Sequence, residues 1–169
     1  MTAELPRSLK FATVWLVLGA LVFVGYQWRE HEALKASFTT SADGIVEIRR
    51  GNDGHYHWPG SINGIGVDFL VDTGASGVAI PAELADRLGL ASEGTVRSST
   101  AGGSVTGRIV RGDVVLDGGV RVERLRMVAL PRLASPLLGM DVLGKLHWQQ
   151  RDGVLRVDLG SARQGERRD

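Results

Sequence analysis

The segment Gly64–Ile80, GIGVDFLVDTGASGVAI, is largely apolar up to Val71, breaks at Asp72-Thr73-Gly74 and resumes with Val78-Ala79-Ile80. Apolar runs on both sides predict buried strands, and an ionised carboxylate between them is costly unless partners satisfy it. Asp72 therefore needs an explanation. Alone, the triplet is a weak signal, because a strand end that turns on Gly74 with Asp72 capping its own loop would account for it.

Outward from this segment the pattern is β-type. Short runs are separated by Asp43-Gly44, Asp53-Gly54, Asn63-Gly64, Asp117-Gly118 and Asp152-Gly153, pairs that favour the left-handed dihedrals of tight hairpins. Strands are expected at IVEIRR, HYHW, GVDFLVD, VAI, TVRSS, TGRIVRGDVVL, VRVERLRMVAL and VLRVDL. Two short helices are expected. One runs from Pro81 to Leu88, with proline at its start and Gly89 at its stop, and the other lies around Met140 to Leu146. Together these place a mostly β domain at 44–160, followed by a polar tail at 161–169 that is expected to be disordered.

The N-terminus has a different character. Phe11 to Trp28, FATVWLVLGALVFVGYQW, is eighteen residues without a charge, about the minimum for a single membrane span. A cleaved signal peptide or a buried core helix is the alternative; the signal peptide is disfavoured by the length of the stretch and by the absence of a good small-x-small site close after it. Arg7 and Lys10 precede the span, whereas Arg29, Glu30, Glu32 and Lys35 balance one another after it. That asymmetry places residues 1–10 in the cytoplasm, an anchor at 11–28, a juxtamembrane linker at 29–43 and the β domain outside, which in a bacterium is the periplasm of the inner membrane.

Composition narrows the function classes. The formal charge is +1 over 169 residues, with arginines scattered rather than clustered, so nothing marks a nucleic-acid surface. The absence of cysteine excludes disulfides, a thiol nucleophile and cysteine zinc sites, and leaves the redox compartment open.

Three pieces then match a known pattern in order: FLVDTGAS at 69–76, SSTAGGSVTG at 98–107 and SPLLGMDVL at 135–143. Over about Gly54 to Leu159 the sequence resembles the retropepsin-like aspartic proteases of clan AA, more closely their membrane-anchored bacterial branch with a single DTGAS motif. The resemblance implies a retropepsin-like closed β-barrel with one or two short helices, behind an N-terminal transmembrane helix. It also implies an aspartic endopeptidase acting on peptide or protein substrates. Catalysis would fall to Asp72, Thr73 and Gly74, with Ala75 and Ser76 and the flap residues Ala101, Gly102 and Gly103 contacting substrate; no cofactor and no metal are implied.

The residue types suit that chemistry. Two carboxylates held close together cannot both ionise, so they share a proton, one acting as base toward water and the other as acid toward the scissile carbonyl; aspartic proteases are the established instance of such a dyad. Gly74 lets backbone approach and supplies amide donors. Thr73, in the family, bonds the same threonine across a dimer axis. This chain has one Asp-Thr-Gly and a β domain too short for two lobes, so a homodimer is expected, in which Asp72 meets its own copy.

Other residues in the sequence are rival candidates for a site. His55 and His57 share a strand face but have no third ligand nearby, since His31 and His147 are remote in sequence; packing beside Trp58 is the favoured reading. Asp68 lies four residues from Asp72, about 13 Å along a strand, and reads as a solvated charge. Asp141 reads as a cap on the short helix, ahead of a contact to substrate termini. Ser76 lacks the strand-turn-helix setting of a nucleophile. A non-catalytic peptide-binding or dimerisation module remains the functional alternative.

Overall fold

The computed structural model describes residues 15–23, 38–41, 44–100 and 103–159. The chain divides into two compact units, Met1–Ala36 and Ser37–Asp169, each considered by itself. In the first, residues 15–23 are helical (α1) with exposed side chains. They lie within the 11–28 stretch, whose remaining residues fall outside the described ones; among the described residues no helix is long and apolar enough to cross a membrane.

The second unit is mostly β. Its strands are β1 (Phe38–Thr40), β2 (Ile45–Arg49), β3 (His57–Ile62), β4 (Ile65–Val71), β5 (Ala79–Pro81), β6 (Gly94–Thr100), β7 (Gly103–Leu116), β8 (Val120–Leu130), β9 (Leu137–Leu138), β10 (His147–Arg151) and β11 (Val154–Asp158), with helices α2 (Ala82–Arg87) and α3 (Met140–Leu143). One sheet runs β1-β2-β11-β10. The other runs β3-β4-β9-β5-β8-β7-β6, and β3 also pairs with β7. That extra pairing, Gly60↔Leu116 to Ile62↔Val114, curls the larger sheet back onto its own first strand.

Turn chemistry sets the registers. Asn63 and Gly64 have φ of 50° and 80°, and Asp152 and Gly153 have 51° and 74°, the two-residue geometry that matches the twist of flanking strands. The first fixes Ile62↔Ile65 and with it His57↔Leu70; the second fixes Arg151↔Val154. Helix α2 follows Pro81, which carries extended dihedrals as its N-cap. It stops at Gly89 (φ 63°), where the Leu90 N–H reaches back to the Ala85 carbonyl at 3.0 Å.

One core joins the two sheets. Val46, Ile48, Leu155 and Val157 from the smaller sheet pack in the same cluster as Trp58, Phe69, Ile80, Leu116, Met127 and Leu138. Phe69 and Leu138 are fully buried, each contributing roughly 1.5–3 kcal/mol by removal from water. They are also neighbours of the loops described next. The sequence patterning had pointed to neither β1, which falls in the expected 29–43 linker, nor β10, whose HWQQR is exposed at every residue.

Candidate active site

Strand β4 delivers Asp72 to the protein surface at the end of the apolar run. Val71 and its neighbour Leu70 pair in parallel with Leu138 and Leu137 of β9, and the Asp72 N–H continues that ladder to the Leu138 carbonyl at 3.0 Å. The chain then turns. Asp72 Oδ1 accepts the Gly74 N–H at 2.8 Å, and the Asp72 carbonyl accepts the Ala75 N–H at 3.2 Å. Asp72 is half-buried, while Thr73, Gly74 and Ser76 are exposed. The carboxylate is thus not sunk in the core; it stands at the rim with one oxygen held by its own loop.

The loop is clamped from below by SPLLGMDVL. The Met140 N–H donates to the Ala75 carbonyl at 2.9 Å, and the Val78 N–H donates to Asp141 Oδ2 at 3.2 Å. Gly139 makes the approach possible. A Cβ there would meet the carbonyl oxygen of Gly77, its carbonyl carbon at 2.5 Å and its Cα at 2.7 Å, so backbone lies directly on backbone. Past the loop, β5 is sandwiched between β8 and β9, with Ala79 opposite both Val128 and Leu137.

Asp141 departs from the expected helix cap. Gly139 is the N-cap of α3 and no side chain caps it; the Asp141 carboxylate is bonded instead to the end of the Asp72 loop.

Strands β6 and β7 form the hairpin expected to be a flap, paired from Gly94↔Ile109 out to Thr100↔Gly103. Ala101 and Gly102 lie outside the described residues, and Gly103 has φ 107°. At the hairpin's base, Arg108 Nη2 donates to Asp86 Oδ1 of α2 at 2.6 Å and Arg111 Nε to Glu93 Oε2 at 2.8 Å.

A second polar cluster was not foreseen. His57 Nδ1 lies 2.7 Å from Asp68 Oδ2 and Nε2 lies 2.8 Å from Asp53 Oδ2, so Asp68 is a paired strand charge and not a solvated one. The signal was present in the register. With Asn63-Gly64 as the turn, Pro59 faces Asp68, which makes His57 and Asp68 diagonal neighbours within reach of long side chains. Burial pulls the His57 imidazole down, but its hydrogen bonds and the charges of Asp53 and Asp68 outweigh that and leave it above the ordinary value. Burial pushes Asp68 up despite His57, and the hydrogen bond from His57 pulls Asp53 down. The His55 backbone N–H donates to Asp53 Oδ1 at 3.1 Å, and that bond also lowers Asp53. Among the described residues no group of three or more His, Cys, Asp or Glu could hold a metal.

The family model described as "Aspartyl protease" matches residues 58–142. An uncharacterized protein of Rickettsia prowazekii (strain Madrid E) is 31% identical over 96 residues, covering 51% of this chain and 42% of that protein. The chain thus matches less than half the length of that curated relative. Among solved structures, a retropepsin-like aspartic protease from Rickettsia conorii superposes with a TM-score of 0.55 at 24% identity, over 72% of this chain and 93% of that one. The EIAV protease complexed with the inhibitor HBY-793 gives 0.49 at 20% identity, over 56% and 89%.

Proposed function

This chain belongs to the aspartyl protease family, with a retropepsin-like fold, and from that premise we propose that it is a membrane-anchored aspartic endopeptidase. Its dyad forms when Asp72 meets the second copy's Asp72 in a homodimer. The observation that carries this is the Asp72 loop itself. It is a carboxylate at the rim, braced by Gly74 N–H and by the Leu138 and Met140 backbone, and the sequence has one Asp-Thr-Gly to supply it.

In the assembled site the two carboxylates share one proton. The ionised member takes a proton from water as the water oxygen attacks the scissile carbonyl carbon, and the neutral member gives its proton to the carbonyl oxygen. Collapse of the tetrahedral intermediate breaks the C–N bond, with a carboxyl proton passing to the leaving amine. Thr73, whose exposed hydroxyl has no hydrogen-bond partner among the described residues, bonds its counterpart across the axis. Ser76 and the flap residues Ala101, Gly102 and Gly103 meet the peptide. Ala75 stands beside it with its carbonyl already engaged by Met140.

The β3–β7 pairing supports reading the larger sheet as a closed barrel. The uncharged stretch 11–28 and its flanks support an anchor in the inner membrane with the protease domain in the periplasm.

Turnover of a peptide library by the full-length chain, its block by pepstatin-type inhibitors and its loss in Asp72→Asn test the reading. Mixing wild-type and Asp72→Asn chains adds the stoichiometry. Mixed dimers hold one carboxylate, so activity should fall faster than the wild-type fraction. Strict proportionality, with chain exchange independently confirmed, would sink the shared site. The Asp72–Gly74 bond is also what a plain loop cap makes, so peptide binding without turnover would favour the non-catalytic module.

A further inference from the structure

We infer that Asp141 is a positioning residue for the Asp72 loop, acting through the Val78 amide; the inference rests on the reading of Asp72 as the catalytic carboxylate. Residues 72–78 are fastened to 138–141 at three points: Asp72 N–H to the Leu138 carbonyl, Met140 N–H to the Ala75 carbonyl, and Val78 N–H to Asp141 Oδ2. The first two are backbone to backbone and independent of side-chain identity. Asp141 alone supplies a side chain.

That side chain holds the loop's far end. Val78 is buried, and its carbonyl is taken by the Val128 N–H at 3.0 Å, so its own N–H needs an acceptor on the loop side. Among the described residues no backbone carbonyl serves it; a carboxylate from 63 residues away does. Two glycines make room. A Cβ on Gly77 would stand 3.2 Å from Asp141 Oδ2, and Gly139 brings the start of α3 onto the Gly77 backbone. Asp72 at one end of the loop is fixed by β9, and the Gly77-Val78 peptide at the other is fixed by Asp141. The span between them carries Thr73, Gly74 and Ser76.

The carboxylate is not placed for its own benefit. Asp141 Oδ1 is buried with no hydrogen-bond partner among the described residues, an arrangement that costs free energy which an apolar residue would avoid. The one interaction seen in return is the Val78 bond. Because Asp141 acts through the loop backbone and not on the peptide, its removal should lower kcat and leave KM nearly unchanged, as misplacement of a reacting group does.

The test uses the full-length chain with Asp141→Ala and Asp141→Asn, read by amide hydrogen exchange at Val78 and by steady-state kinetics on a peptide that the wild type cleaves. Asparagine keeps an acceptor for the amide and should retain both Val78 protection and most of kcat. Alanine should speed Val78 exchange by about tenfold or more while amides of the β7–β8 pair stay protected, and lower kcat on the order of tenfold or more with KM within about threefold. Should Asp141→Ala fail to fold, Asp141→Asn alone decides, since loss of Val78 protection or of kcat in it overturns the assignment. So does unchanged kcat in a folded Asp141→Ala, or a change confined to KM. A wild type that cleaves no peptide defeats the protease reading instead, and the Val78 exchange comparison still reports whether Asp141 holds the loop.

Discussion

Replacing His57 with glutamine should remove a pH-dependent part of the stability, and the structure fixes its sign. Both ring nitrogens face carboxylate oxygens, at 2.7 and 2.8 Å. Ionised carboxylates only accept hydrogen bonds, so both nitrogens must carry protons and His57 is an imidazolium when both bonds are made. Asp68 depends on it more than Asp53 does, because the other oxygen of Asp68 is buried with no partner among the described residues. A hydrogen bond between charged groups contributes about 1.5–3 kcal/mol. The Asp53 end, 48% exposed, is discounted to roughly 0–1 kcal/mol. About 2 kcal/mol in all is therefore expected from the cluster, most of it on the Asp68 side.

A histidine raised above its unfolded value of 6.5 contributes stability that is fully present below that pH and is lost as pH rises through the folded value. Asp68, also raised, loses stability in the same direction but in a window that starts near its ordinary value of 3.8. Asp53, lowered, loses its contribution only as pH falls through its depressed value. His57 is thus the member of the cluster whose window starts at 6.5. Urea unfolding of the full-length chain at pH 6 and pH 8.5 should show the wild type weaker at the higher pH, with the difference largely abolished in His57→Gln. Equal losses in both proteins would refute the reasoning.

Gly139→Ala should destabilise by about 1–3 kcal/mol, the range for overpacking, because the new Cβ meets Gly77 backbone; thermal unfolding with peptide turnover checks it, and an unchanged midpoint would show that the loop yields. Gly102→Val with Gly103→Val, beside the Thr100↔Gly103 pair, should slow turnover in a chain that still folds, with a lowered unfolding midpoint because valine is strained at φ 107°, and unaltered kinetics would mean that the hairpin is no flap. A reporter active only in the periplasm, fused after Asp169, should be active; a silent reporter with an active cytoplasmic counterpart would reverse the proposed orientation.

What was legible in the sequence follows from local chemistry. Asn63-Gly64 and Asp152-Gly153 announced their hairpins because few other pairs tolerate positive φ at both positions, and FLVDTGAS announced a strand ending in a turn. Strand β10 was hidden for the opposite reason. HWQQR has no apolar alternation, since every residue is exposed, and its strand state comes from pairing with β11. Asp141 was misread because a carboxylate in a first helical turn is a common cap, while its actual partner is distant in sequence and becomes adjacent only once β9 pairs with β4 and β5. The His57–Asp68 pair was recoverable from register alone, had the hairpin been drawn out residue by residue.

The acid in the apolar run can now be weighed against the fold that holds it. Asp72 Oδ1 takes the Gly74 N–H, and the other bonds of Asp72 to the loop and to β9 are made by its backbone. Asparagine accepts the same N–H with similar competence, as its near-equality with aspartate at capping positions shows. Asp72→Asn should therefore change stability by less than about 1 kcal/mol in a single chain. In a dimer it should stabilise if anything, by removing repulsion between two acids. The fold has no need of a carboxylate as opposed to an amide at this place. What an amide lacks at ordinary pH is the capacity to give and take a proton. A position whose local bonds are indifferent to that capacity, braced from two sides and left at the rim, is what the proposed proton transfer to a group outside its own loop requires.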